Sequence, residues 1–205
     1  MYKYKYLKYK KKYLKLKKFQ NKLRGGKDKY LSSERRQIGG GSLKHYNYVL
    51  PDEKDLNKIN EMNKYLLDKR GWRSKGYSFK QVGNINDANI QVYFKTNEEL
   101  KKIVNNDKRL INLSITDYST SPTSIYFNLQ NWNNPPKEFK AENNRLSNYR
   151  AYLVQHEFGH ALGFGHKNKP NKDNKIKNCP VMLQQSKYTE PYCKANPWVE
   201  YSIDN

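Results

Sequence analysis

Cysteine, acidic residues, histidine and long apolar runs are all scarce in this 205-residue chain. Only Cys179 and Cys193 occur, so the fold must rest mainly on an apolar core, which a chain of this length can build. Residues 1–20 never offer seven consecutive apolar residues. That excludes the hydrophobic stretch of a secretory signal, and no later stretch suits a transmembrane helix. The 19 acidic residues face 40 lysines and arginines, for a formal charge of +21. The excess is uneven: residues 1–40 hold fifteen Lys and Arg against Asp28 and Glu34 alone.

Histidine is rare, yet three of the four fall in the run His156-Glu157-Phe158-Gly159-His160-Ala161-Leu162-Gly163-Phe164-Gly165-His166. On a helix, positions i and i+4 share a face, so His156 and His160 can direct a ring nitrogen at one metal ion. Glu157 is one step round the helix, outside the ligand set but placed to act as a base toward the water that such a metal activates. Gly163 tolerates the left-handed conformation that ends a helix and turns the chain back, bringing in His166 as the third ligand. Three neutral nitrogen donors favour zinc over calcium or magnesium, so one catalytic Zn2+ is expected.

This HExxHxxGxxH run resembles the signature of the metzincin metallopeptidases. That clan follows it with a turn carrying a methionine below the metal, and Met182 in Cys179-Pro180-Val181-Met182 matches that position. A narrower resemblance, from about residue 43 to 200, is to metzincin-like domains of unassigned function familiar from secreted actinobacterial proteins. It rests on Gly71-Trp72, Tyr77–Val82, Phe127–Trp132, Asn148–Gln155, the zinc run, CPVMLQQ and Cys193–Trp198. The resemblance implies a metzincin fold and a zinc site. In the secreted relatives cysteines at such places pair, which implies a Cys179–Cys193 disulfide stabilising by roughly 3 kcal/mol. The missing secretory signal leaves two reduced thiols equally open. Where some metzincins carry a tyrosine ligand two residues after the methionine, Gln184 stands here, so no further protein ligand is implied. Gln184, Gln185 and Tyr188 are candidates for a substrate pocket.

Along the chain, the opening tract Tyr2–Lys18 is low in complexity and at first alternates tyrosine with lysine. Tyr2, Tyr6, Tyr9, Tyr13 and Leu16 also step by four and three, as an amphipathic basic helix would; a solvated, disordered tail is the plainer reading. The tract resembles termini of proteins from giant DNA viruses of amoebae. Gly25-Gly26 and Gly39-Gly40-Gly41-Ser42 read as linker, giving a tail at 1–40 and a domain at 41–205. Apolar patterning predicts a strand at 43–50, a helix opened by Pro51-Asp52 and stopped by Gly71, strands at 77–82, 89–95, 109–116 and 124–129, and the zinc helix from about Ser147 to Leu162. The class is α+β, a metzincin-like mixed sheet with an active-site helix, a backing helix and a C-terminal Met-turn subdomain. The metzincin resemblance implies that segment 109–116 takes the antiparallel edge above the cleft.

The expected function is a zinc-dependent endopeptidase acting as a monomer on peptides or proteins. Residues 1–24 offer a surface for nucleic acid or an anionic membrane. A catalytically inactive zinc-binding domain and a basic structural protein bound to nucleic acid or membrane are the alternatives. Localisation stays open, with an intracellular or virion setting compatible with the absent signal. No cysteine precedes Cys179, so latency through a propeptide thiolate on the metal is not available to this chain.

Overall fold

A computed structural model describes residues 43–107, 110, 112–139, 143–168, 178–186 and 193–201. The basic tract 1–24, the linker glycines 25–26 and 39–41 and Tyr188 lie outside the described residues. Leu43–Asn205 forms a unit of its own. Among its described residues are five strands, β1 Lys44–Val49, β2 Tyr77–Gln81, β3 Ile90–Lys95, β4 Ile115–Asp117 and β5 Thr123–Asn128. Four α-helices among the described residues accompany them, α1 Leu56–Leu67, α2 Asn97–Ile103, α3 Leu129–Asn133 and α4 Arg145–Ala161. The strands form one sheet in the order β2-β1-β3-β5-β4. Neighbours are parallel except β4, which runs antiparallel to β5 at the edge. The fold is therefore α+β with a mixed sheet.

Register explains how the sheet receives α4. Tyr46 pairs with Phe79, Tyr48 with Ile90, Val92 with Ile125 and Phe94 with Phe127, and partners across a ladder point to the same side. Their rings and branched chains make one apolar face. Helix α4 lies on it, with Phe158 edge-on to Phe79 at 4.9 Å and to Tyr48 at 5.7 Å between ring centroids. Val154, Phe158 and Leu162 all belong to this core. The helix is covered on more than its sheet side: every residue from Ala151 to Gly159 is buried. No helix among the described residues is long and apolar enough to cross a membrane.

Four elements differ from the pattern expected from sequence, the first being α3, a short helix that begins at Leu129 where a strand was expected to end. Helix α1 starts at Leu56, because the Asp55 carboxylate accepts from the Asn57 and Lys58 amides and takes the cap; Pro51-Asp52 lies in a bend before it. The helix also stops at Leu67, and its buried residues are Met62, Tyr65 and Leu66, while Leu56 and Leu67 are exposed. Helix α2 was not anticipated, although Thr96 and Glu99 build a capping box at its start. The edge strand is confined to Ile115–Asp117. Leu110 and Leu113 upstream sit in turns, their amides bonded to the carbonyls of Asp107 and Leu110. Three-residue spacing, not alternation, governs that segment.

Phe158→Ala is expected to lower unfolding stability by about 3–5 kcal/mol in denaturant titration. A loss under about 1 kcal/mol would show that the sheet does not hold α4.

Candidate metal centre

Helix α4 sets His156 and His160 one turn apart and then ends by a motif that its glycine requires. Gly163 has φ 91°. Its amide donates to His160 O at 2.6 Å and the Phe164 amide to Gly159 O at 3.0 Å, the two reversed bonds of a Schellman turn. Phe164 then stacks on Trp72 with centroids 4.6 Å apart, which fixes where the chain runs next. His166 is carried back over the helix. The three Nε2 atoms form a triangle with edges of 3.2, 3.2 and 3.1 Å.

That triangle is a test of fit. Nitrogens at about 2.0–2.1 Å from a tetrahedral zinc stand roughly 3.3 Å from one another, close to the edges found here. The tautomers agree with it. His156 Nδ1 donates to Val181 O and His160 Nδ1 to Phe164 O, each at 2.8 Å, which leaves the Nε2 lone pairs facing one point. Burial, aided by the neighbouring imidazoles, holds His156 well below the usual histidine range. Burial likewise pushes His160 down to about 4. Both rings are neutral donors at pH 7. His156, His160 and His166 therefore lie close enough to bind one metal ion.

A turn below the histidines supplies the carbonyl. The Leu183 amide donates to Pro180 O at 3.0 Å, and Met182 O accepts from Lys167 at 2.9 Å, so one turn orients His156 and ties down the segment that carries His166. Met182 is buried. A Cβ placed on Gly159 would meet Met182 Sδ at 2.5 Å and Trp72 Cζ2 at 2.4 Å; this glycine lets the turn approach the helix. Cys179 and Cys193 form a disulfide at the foot of the turn. Tyr152 braces it from the helix, its hydroxyl donating to Leu183 O at 2.9 Å.

Beside the triangle opens a cleft of about 240 Å³. Glu157 and all three histidines line it, with Thr116 and Tyr118 from the edge of the sheet, Leu110 and Leu113 from the turns before it, and Tyr149 and Leu153 from α4. The Glu157 carboxylate is nearly enclosed. Burial raises it to about 7, against which a hydrogen bond from Thr116 favours the ionised form. Gln184 reaches the cleft. Gln185 does not: it is fully buried and bonds to Pro180 O, Asn196 O and the Asn196 amide. It holds the two loops together instead of meeting a substrate, because its amide satisfies backbone groups that burial would otherwise leave unpaired.

Over residues 24–197 the chain matches a family described as protein of unknown function (DUF3152). The chain belongs to that family. No curated protein matches it. In this DUF3152 domain His156, His160, His166 and Glu157 line one cleft, Gly163 turns the chain that carries His166 and Met182 lies against Gly159, whereas Thr116, Trp72, Tyr152 and Gly159 are participants that the sequence pattern did not single out. Gly159 carried a usable signal. Glycine inside a helix is unfavourable by about 1 kcal/mol, and its presence here marks a close approach by other side chains.

In the DUF3152 domain Gly159→Ala should displace Met182 or Trp72 and weaken zinc or cobalt binding by about 10–100-fold in a competition titration. Parent-like affinity would mean that the turn and the helix need not touch.

Proposed function

We propose that this chain is a zinc-dependent endopeptidase of the metzincin kind. One observation carries the reading: three imidazole Nε2 atoms within 3.2 Å of one another share a cleft with a buried glutamate. His156, His160 and His166 would hold the ion, and three neutral nitrogen donors suit zinc better than the oxygen-seeking calcium or magnesium. Zinc, when bound, supplies a Lewis acid that lowers the pKa of water to near 7 and polarises a carbonyl. Glu157 takes the proton from the attacking water and passes it to the leaving amine nitrogen. Its place in the helix, adjacent to His156 and lining the same cleft, supports that role.

Substrate selection follows from the walls. Leu110, Leu113 and Leu153 present apolar surface to the cleft, so an apolar side chain beside the scissile bond is favoured. The edge strand β4 pairs with β5 on one side, and its other side suits addition of an extended peptide with little sequence preference.

Glu157→Ala is expected to keep about one zinc per chain and to lose peptide cleavage by about 10²–10⁴-fold, read on a peptide library. His160→Ala should lose the metal and the activity together, since two histidines hold zinc poorly. If the parent binds zinc and cleaves nothing across the library, or if Glu157→Ala cleaves as well as the parent, the enzyme reading fails and an inactive metal-binding domain replaces it.

A further inference from the structure

Strand β4 is the short edge of the sheet, and one of its side chains reaches the helix instead of a sheet neighbour. Thr116 Oγ1 stands 2.7 Å from Glu157 Oε2 and 3.2 Å from Glu157 O. The hydroxyl has one proton, and the shorter contact to a carboxylate is the stronger acceptor. Register explains the reach: Thr116 pairs with Ile125, whose side chain is fully buried on the face that carries α4, whereas Ile115 and Asp117 point to the other side. Among the described residues Thr116 is the one hydrogen-bond donor to the Glu157 side chain, and no described residue bonds to Oε1. A carboxylate on a flexible two-carbon stem has several rotamers available. Gripped at Oε2, it presents Oε1 to the cleft.

We propose that Thr116 is a positioning residue for Glu157, selecting the rotamer in which Oε1 faces the reacting water. This rests on the peptidase reading for its catalytic meaning, but the contact itself has its own consequence for folding. Nearly all of Glu157 is out of water, and a buried carboxylate without a donor is unfavourable. One hydroxyl therefore serves both stability and alignment. It also links the strand that would receive a peptide to the base that acts on it, so that a displaced β4 would release the carboxylate.

Two variants and a metal-free measurement test this. Thr116→Val keeps the branched shape and removes the donor, whereas Thr116→Ser keeps the donor. Zinc-loaded Thr116→Val should retain one zinc per chain and lose about 10–100-fold in kcat with little change in KM, as for other groups that orient an active-site residue. Thr116→Ser should recover most of that loss. In the metal-free protein, a denaturation cycle over Thr116→Val and Glu157→Ala should be non-additive, with about fivefold to tenfold coupling in the unfolding constant. The 3.2 Å contact from the same hydroxyl to the main-chain carbonyl is lost with valine whether residue 157 is Glu or Ala, so it cancels in the cycle. An additive cycle, a serine variant no better than valine, or a valine variant that turns over like the parent would each overturn the proposal. If the parent cleaves no peptide, the peptidase reading falls, while the cycle still decides whether Thr116 holds Glu157.

Discussion

Three imidazole nitrogens within 3.2 Å of one another can turn all their lone pairs to one point only if a cation lies between them, and that constraint organises the rest of this domain. The rings cannot be left to find the arrangement, because each loses rotamer freedom in doing so. Two are fixed through their far nitrogens by backbone carbonyls of Val181 and Phe164. Those carbonyls belong to segments that are themselves held, one by a turn below the helix and one by a Schellman turn and an aromatic stack.

From this the placement of the core follows. Helix α4 presents ligands on one side, so its position must be fixed by the others, and it is enclosed by the sheet, by Trp72 and by Met182. Trp72 contributes twice, stacking on Phe164 and donating from Nε1 to the Gln155 carbonyl at 2.7 Å. The disulfide closes the loop bearing Val181 and Met182, and the side chains of Gln185 and Asn196 satisfy that loop's buried backbone groups. A loop rich in polar backbone can lie beneath the site because those groups are paired.

Much of the centre was legible in the sequence, since it is local. His156, Glu157, His160, Gly163 and His166 lie in eleven consecutive residues, and helical geometry with one glycine turn determines how they meet. The strands with clear alternation, such as Ile90, Val92 and Phe94, were legible for the same reason. What pattern could not supply is long-range. Thr116 stands 41 residues from Glu157, Trp72 83 from Gln155, and Tyr152 31 from Leu183; each is an ordinary polar or aromatic residue until the fold brings its partner near. The segment 109–116 misled because alternating Leu, Asn and Ile satisfies both a strand and a pair of turns, and cleft packing chose the turns. Gln185 misled for the opposite reason: a polar residue beside a site suggested contact with substrate, when buried backbone was its partner. Whether Cys179 and Cys193 pair is also a tertiary matter: an isolated bridge sets Asn178 beside Lys194 and brings the two segments together.

X-ray absorption at the zinc edge on stoichiometrically loaded protein tests most directly whether the three histidines are the metal site. The expected first shell is three imidazole nitrogens at about 2.0–2.1 Å plus oxygen, with imidazole outer-shell scattering that falls by one ring in His166→Ala. A shell containing sulfur, one built mainly from carboxylate oxygens, or a spectrum unchanged by His166→Ala would contradict it.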